Sequence, residues 1–197
     1  MTATISKLIW LAFGIVWFVL RLRPRRRARE TPVRYSGRGA REVLLLAAAL
    51  TGLGIVPGIY LATHFPRFAD YPLVPALSYA GIAVDLASAW LFYRTHRELG
   101  RNWSVSLDLR ERHTLVTTGV YATVRHPMYA GFWLMGLAQA LLLPNWIAGP
   151  AGLVGFGILY FGRVRREEEM MVAAFGDEYR AYMRRTGRVV PWLFWRH

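Results

Sequence analysis

Cysteine is absent from this sequence of 197 residues. Its absence excludes disulfide bonds, thiolate metal sites and a cysteine nucleophile, and it removes any indication of redox compartment. Acidic residues are also scarce, with 12 Asp and Glu against 25 Lys and Arg, and Lys7 is the only lysine. The five histidines show no spacing typical of metal ligands, so we expect no bound metal.

Apolar residues and positive charge are what the chain has in excess. Apolar residues make up 54% of it, and the formal net charge is +13. A nucleic-acid-binding domain would carry such charge on a soluble face. Here the arginines cluster between apolar runs, which indicates a membrane surface and membrane lipids as partners, and not a nucleic acid.

Five apolar stretches approach the roughly 20 residues that a bilayer-crossing helix needs. They cover residues 5–20, 43–64, 73–93, 128–143 and 146–162. A signal peptide is the alternative for the first stretch, since it is short and follows Lys7. A dense run of arginines follows instead of a cleavage site. We therefore expect an all-α integral membrane protein with five transmembrane helices.

The arginine distribution predicts the orientation. Three segments are rich in arginine, 21–41, 94–127 and 163–188, whereas the links at 65–72 and 144–145 are not. The positive-inside rule then places the amino terminus outside and the carboxyl terminus in the cytoplasm. We expect one domain over residues 1–197, in which 1–93 supplies three helices and 94–197 the functional part, including a helical hairpin over 128–162.

Several features within these elements are predictable. Gly52, Gly54, Pro57 and Gly58 should bend the second span. Seven small residues should let the hairpin helices pack closely: Gly131, Gly136, Ala140, Gly149, Gly152, Gly155 and Gly157. Residues 163–185 suggest a helix at the membrane surface, broken near Gly176. Asp85, inside the third span, is functional or paired, and its role stays open.

The stretch from Gly119 to Gly131 joins a polar, basic segment to the hairpin. Pro127 suits the first turn of a helix, so an ordered loop should end at His126. The hairpin topology brings Arg125 and His126 to the same end as Arg163 and Glu167, which share a helix face at i, i+4. A plain helix salt bridge is the alternative. The acidic run 167–169 suggests a cationic partner or a solvated face.

These residues resemble the isoprenylcysteine carboxyl methyltransferase family and its prokaryotic members over residues 90–192. The order and spacing of six motifs carry the resemblance: Gly100-Arg101-Asn102-Trp103, His113-Thr114-Leu115-Val116, Gly119-Val120-Tyr121, Arg125-His126-Pro127-Met128-Tyr129, Arg163 with Glu167, and Phe175-Gly176-Asp177-Glu178-Tyr179 followed by Tyr182. The resemblance implies a carboxyl O-methyltransferase with S-adenosylmethionine bound on the cytoplasmic side. Its prenylated or other lipophilic acceptor would enter between helices from the bilayer.

Site residues follow from the same resemblance. Arg163 would face the substrate carboxylate, and with Glu167 it would form the catalytic pair. The expected cofactor-binding residues are His113, Thr114, Leu115, Val116, Tyr121, His126, Pro127, Met128, Tyr129 and Glu167. The family also uses a residue shortly before His113, and its match here, with Asp108 as a candidate, stays open.

The chemistry of these residue types agrees with a methyl donor. A carboxylate suits the donor's amine, His126 suits its carboxylate, and tyrosines can face adenine or the sulfonium. Two enzyme alternatives remain, a lipid amine N-methyltransferase and a membrane sterol-type reductase that uses NADPH. A non-enzymatic membrane scaffold is the third. The sequence names neither the methyl acceptor nor the oligomeric state.

Overall fold

The fold, given by a computed structural model, is a bundle of helices. The structure describes residues 1–29, 33–36, 39–100, 108–110 and 114–191, and the side chains of 1–22, 39–100 and 114–191. The helices are α1 (Ala3–Arg29), α2 (Ala40–Leu50), α3 (Val56–Thr63), α4 (Pro75–Leu99), α5 (Pro127–Leu142), α6 (Ala151–Phe175) and α7 (Asp177–Arg185). A short antiparallel pair, β1 (Val33–Ser36) with β2 (Asp108–Arg110), was not predicted.

Among the described residues, three helices are long and apolar enough to cross a membrane. They are Ala3–Leu22, Ala40–Thr63 and Pro75–Leu99, which correspond to the first three predicted spans. Helix α5 has only 16 residues, and α6 carries charges along its second half. The chain is therefore a helical protein with three candidate spans, and the fourth and fifth spans stay predictions.

A π-helical turn interrupts the second span at the glycines that were expected to bend it. A π-helical turn over Thr51–Ile55 joins α2 to α3, and the Val56 N–H bonds to the Thr51 carbonyl. Pro57 follows at the start of α3 and supplies no N–H. Because Pro57 has no N–H to donate and the two glycines add no side chains, the π-helical turn costs little free energy here.

The α5–α6 hairpin turns at the predicted break. Helix α5 ends at Leu142, and the Asn145 carboxamide oxygen accepts hydrogen bonds from the N–H groups of Ile147 and Ala148. The Asn145 amide donates to the Pro66 carbonyl and to Asp70. This turn therefore also fastens the link between α3 and α4.

The small residues of the hairpin serve three interfaces, not one. A Cβ on Gly136 would meet Leu153 of α6, as predicted for hairpin packing. Gly131 instead faces α4, where its carbonyl accepts a hydrogen bond from Ser88 at 2.8 Å. Gly155 packs against Gly52 of the π-helical turn. Helix α6 is thus held between α5 and α2.

Helix α6 extends further than its apolar run predicts. It continues from the apolar region through Arg163 and Glu167 to Phe175 as one helix, so no separate surface helix begins at 163. The predicted break is present at Gly176, whose φ of +56° favours glycine. Only α7, with acidic residues in its first turn and arginines in its last, is a separate amphipathic helix.

Topology is directly testable. Reporter fusions at residue 70 and at the carboxyl terminus should lie on opposite sides of the membrane, with the carboxyl terminus in the cytoplasm. The reason is the excess of arginine in the three predicted cytoplasmic segments. Alkaline phosphatase and green fluorescent protein fusions report the two sides. Identical sides for both positions would contradict the five-span topology.

Candidate active site

The predicted site residues meet in one cavity of about 430 Å³. It lies at the end of the bundle that carries His126 and Arg163, which we term the site end. Ten of the predicted residues line it: Thr114, Leu115, Val116, Tyr121, His126, Pro127, Met128, Tyr129, Arg163 and Glu167. His113 and the Asp108 side chain lie outside the described residues.

A 3-10 turn over Gly119–Ala122 presents Tyr121 to the cavity. Gly119 has a φ of +61°, and a Cβ there would collide with the Glu98 carboxylate. Glu98 accepts a hydrogen bond from the Val120 N–H at 2.7 Å. The Tyr182 hydroxyl donates to the Tyr121 carbonyl at 2.6 Å. Sequence motifs that are far apart are therefore joined at this turn.

Burial raises the pKa of Tyr121 well above its ordinary value, and the nearby Tyr182 and Glu167 act in the same direction. Tyr121 is therefore a neutral phenol at physiological pH. It can pack on a ligand or form a hydrogen bond, but it is unsuited to act as a base.

His126 ends the loop before α5, as Pro127 predicts. Its φ of −125° and ψ of 60° lie outside the helical region. Backbone N–H groups of Arg125 and His126 donate to the carbonyls of Gly187 and Arg188, each at 2.9 Å. The segment after α7 therefore holds this loop in place.

The three adjacent carboxylates 167–169 have different surroundings, because successive side chains on a helix are about 100° apart. Glu167 faces the cavity, Glu168 is buried against basic side chains, and Glu169 is exposed. The cationic partner that the acidic run suggested is, for Glu168, the protein itself.

Glu168 joins α6 to the loop before α5 and to the segment after α7. It accepts hydrogen bonds from Arg125 at 2.6 Å and from Arg188 at 2.8 Å, and His126 Nε2 lies 3.4 Å away. Burial opposes ionisation of Glu168, but the adjacent His126 and the hydrogen bonds from Arg188 and Arg125 outweigh it and lower its pKa. Glu168 is thus an anion that lies against the imidazole of His126.

Replacing Glu168 with glutamine should destabilise the fold. The change leaves buried Arg125 without its charge partner, and we expect the free energy of unfolding to fall by about 2 kcal/mol. This value is below the range for fully buried pairs because Arg188, the second partner of Glu168, is partly exposed. Thermal unfolding in detergent measures it, with exposed Glu169→Gln as the matched control. The stabilisation by ionised Glu168 is fully present at pH values above the ordinary carboxyl pKa. It is lost as the pH falls towards and through the lowered pKa of Glu168 in the folded protein. Equal unfolding midpoints for the two variants would contradict the prediction.

Glu167 is the carboxylate that the cavity contains. Its side chain is 26% exposed, and Tyr129 donates a hydrogen bond to its Oε2. His126 Nδ1 lies 3.9 Å from Oε1, and Arg163 Nε lies 3.6 Å from Oε2. The predicted i, i+4 pair is therefore present, and it forms part of a larger polar group.

Glu42 belongs to this group and was missed from the sequence. It lies in the first turn of α2, is 5% exposed, and its Oε1 is 2.9 Å from Arg163 Nη1. The Arg163 guanidinium is thus placed between two carboxylates. In the sequence, Glu42 stands out only as an acidic residue within a basic segment. Nothing in its spacing indicates a partner on α6.

Most of the remaining lining is apolar, apart from Arg21, Arg125, Tyr179 and Tyr182, and the apolar part comes largely from helices without predicted site residues. Its walls include residues from α1, α2, the π-helical turn, α5 and α6: Trp17, Phe18, Leu46, Ala49, Leu50, Leu53, Gly54, Phe132, Met135, Phe156 and Leu159. No sequence signal separated these residues from lipid-facing ones, since both are simply apolar.

Comparison with known proteins matches the part of the chain that holds the predicted site residues. Residues 81–173 match the model of the isoprenylcysteine carboxyl methyltransferase family. This range holds α5, most of α6 and the residues from Thr114 to Glu167. Just under half of the chain is thus similar to the isoprenylcysteine carboxyl methyltransferase family.

Individual relatives agree. The protein-S-isoprenylcysteine O-methyltransferase of Tribolium castaneum is 28% identical over 136 residues, which are 68% of this chain and 48% of that protein. The same-named protein of Schizosaccharomyces pombe is 35% identical over 96 residues, 48% of this chain and 41% of that protein. The human one is 33% identical over 92 residues, 47% and 32% of the respective chains. The chain thus spans about half, or less, of the curated relatives it matches.

Proposed function

We propose that this protein transfers a methyl group from S-adenosylmethionine to the carboxylate of a lipophilic, isoprenylcysteine-like acceptor. One observation carries the proposal. A single cavity joins a polar end, with Glu167 and Arg163, to an apolar region between helices, and both of these residues lie in the part of the chain that matches the family. An acceptor with a carboxylate head and an apolar tail would match the polar and apolar parts of this cavity.

The residues at the polar end fit the donor. Glu167 would hold its amine, and Tyr121 and Tyr129 offer aromatic faces for adenine or the sulfonium. Thr114, Leu115 and Val116 line the cavity beside them. His126, which lies against Glu168, is the predicted partner of the donor's carboxylate. When bound, S-adenosylmethionine supplies a methyl group on a positively charged sulfur.

The reaction requires no general acid or base from the protein. An acceptor carboxylate is ionised near pH 7, so no base has to remove a proton. Its oxygen forms the new bond to the methyl carbon while the carbon–sulfur bond breaks, which leaves an ester and a neutral thioether. The apolar walls exclude water, and the neutral Tyr121 adds no competing nucleophile.

Arg163 is the proposed partner of the acceptor's carboxylate. It lies one turn from Glu167 on α6, between the polar end and Leu159 of the apolar wall. A planar guanidinium can orient both oxygens of a carboxylate. Glu42 acts through Arg163 as a positioning residue, because its carboxylate holds one edge of the guanidinium.

The acceptor's tail would enter from the bilayer between α1 and α2. In the described part of the chain, α1 packs mainly on α4 and α5, whereas α2 packs on α6. Phe18 of α1 and Leu50 of α2 both line the cavity, and both are 62% exposed. The cavity thus reaches the lipid-facing surface between these two helices.

Purified protein in nanodiscs should convert N-acetyl-S-farnesylcysteine into a methyl ester when given radiolabelled S-adenosylmethionine. A carboxyl ester releases labelled methanol in alkali, whereas an N-methyl product does not, so the same assay detects the lipid amine alternative. Calorimetry with S-adenosylmethionine and with NADPH separates a methyltransferase from a reductase. Binding of NADPH alone would overturn the proposal.

A further inference from the structure

Gly54 borders the apolar part of the cavity at its far end. Along α6 the lining residues run from Glu167 at the polar end through Leu159 to Phe156. These positions span 11 residues, or about 16 Å at ~1.5 Å per residue. On α5, and on α2 with its π-helical turn, Met135 and Gly54 are the lining residues furthest along the chain from the site end.

A glycine at position 54 has no packing requirement. A Cβ there would meet only Leu50 Cδ1, at 3.6 Å, and no positive φ is present. Gly52, two residues earlier, is different, because Gly155 and Ala151 lie directly against it. Glycine weakens a helix relative to alanine. Helix packing requires glycine at Gly52, whereas Gly54 borders the cavity and no packing contact excludes a larger side chain there.

We propose that Gly54 sets the longest apolar tail that the cavity accepts. The inference rests on the proposed function and adds to it a determinant of acceptor length. The tail lies along α6 with its head at Arg163, and its last isoprene unit lies beside Gly54. A larger side chain at 54 shortens the space while leaving the polar end unchanged.

The test compares three acceptors, N-acetylcysteine carrying a geranyl, farnesyl or geranylgeranyl group, with wild type and Gly54→Leu. We expect Gly54→Leu to lower the geranylgeranyl-to-geranyl ratio of kcat/KM by about tenfold or more, the scale for crowding a hydrophobic pocket. Geranyl turnover and S-adenosylhomocysteine affinity should stay within about threefold. Gly54→Ala should give a smaller change in the same direction.

Gly58→Leu is the matched control. Gly58 is exposed on α3, a Cβ there meets nothing within 4 Å, and it does not line the cavity. This variant should keep the wild-type ratio. An equal loss for all three acceptors in Gly54→Leu, or an unchanged ratio, would overturn the inference.

Binding separates this inference from the proposed reaction. Scintillation proximity with the three labelled prenylcysteines measures affinity without methyl transfer. Affinity that falls selectively for the longest tail in Gly54→Leu supports the length determinant even if no ester forms, which would overturn only the reaction. Wild-type protein that binds none of the three tails would overturn the length determinant.

Discussion

Replacing Glu167 with alanine should weaken S-adenosylhomocysteine binding by about 30- to 5,000-fold, which corresponds to 2–5 kcal/mol for the loss of a buried charge partner. Glu167 is the carboxylate that combines contact with the cavity, a hydrogen bond from Tyr129 and proximity to Arg163. The ligand's ammonium would lose its counter-charge, and the Tyr129 hydroxyl would lose its acceptor. Calorimetry in detergent with the non-reactive thioether measures binding without turnover.

Two variants distinguish charge from shape. Glu167→Gln keeps the size of the side chain and an oxygen that can accept from Tyr129, so it should lose most of the affinity while keeping thermal stability. Glu169→Ala removes the exposed neighbouring carboxylate and should bind like wild type. Unchanged affinity in Glu167→Ala would remove Glu167 from the donor site.

The grouping of the site residues was predictable because it depends on connectivity. The break at Leu143-Pro144-Asn145 makes a hairpin, and a hairpin places His126 beside Glu167, whose side chains are 3.9 Å apart at their nearest atoms. The helix start at Pro127 and the break at Gly176 follow from backbone chemistry that each residue carries by itself. Local rules of this kind need no knowledge of tertiary packing.

What the sequence could not supply depends on contacts between distant elements. Glu42 pairs with Arg163 across 121 positions, and no periodicity links them. The different surroundings of Glu167 and Glu168 depend on where Arg125 and Arg188 lie, which only the folded loops determine. Helix α4 continues past the predicted span to Leu99 for a similar reason. Glu98 in its last turn is held by Arg94 and by the Val120 N–H.

The apolar wall was hidden for another reason. In a membrane protein, the residues that face lipid and those that face an internal apolar cavity have the same composition. Trp17 and Leu53 could therefore not be distinguished from lipid-facing residues by hydropathy. Only the arrangement of α1 and α2 around α5 and α6 separates the two groups.

Arg163→Lys should retain donor affinity within about threefold while it lowers turnover by about 10²-fold, the scale for misplacing a reactant. Lysine keeps the positive charge beside Glu42 and Glu167, but it lacks the planar fork that can hold two carboxylate oxygens. Measuring S-adenosylhomocysteine affinity and methyl transfer on the same preparation tests both halves of this expectation. Arg165→Lys, an exposed position on the same helix, is the control and should behave as wild type.

The salt-bridge alternative for Arg163 predicts a different result, namely a small loss of stability with near-normal turnover. Glu42→Gln sharpens the comparison, because it frees the guanidinium edge that Glu42 holds at 2.9 Å without touching the donor residues. If Arg163 orients the acceptor, this variant should raise KM for the acceptor and leave donor affinity unchanged. Weakened donor binding in Arg163→Lys, with normal turnover at saturating donor, would instead assign Arg163 to the donor side. That outcome would leave the apolar part of the cavity without a carboxylate partner, and a lipid amine would then be the better acceptor.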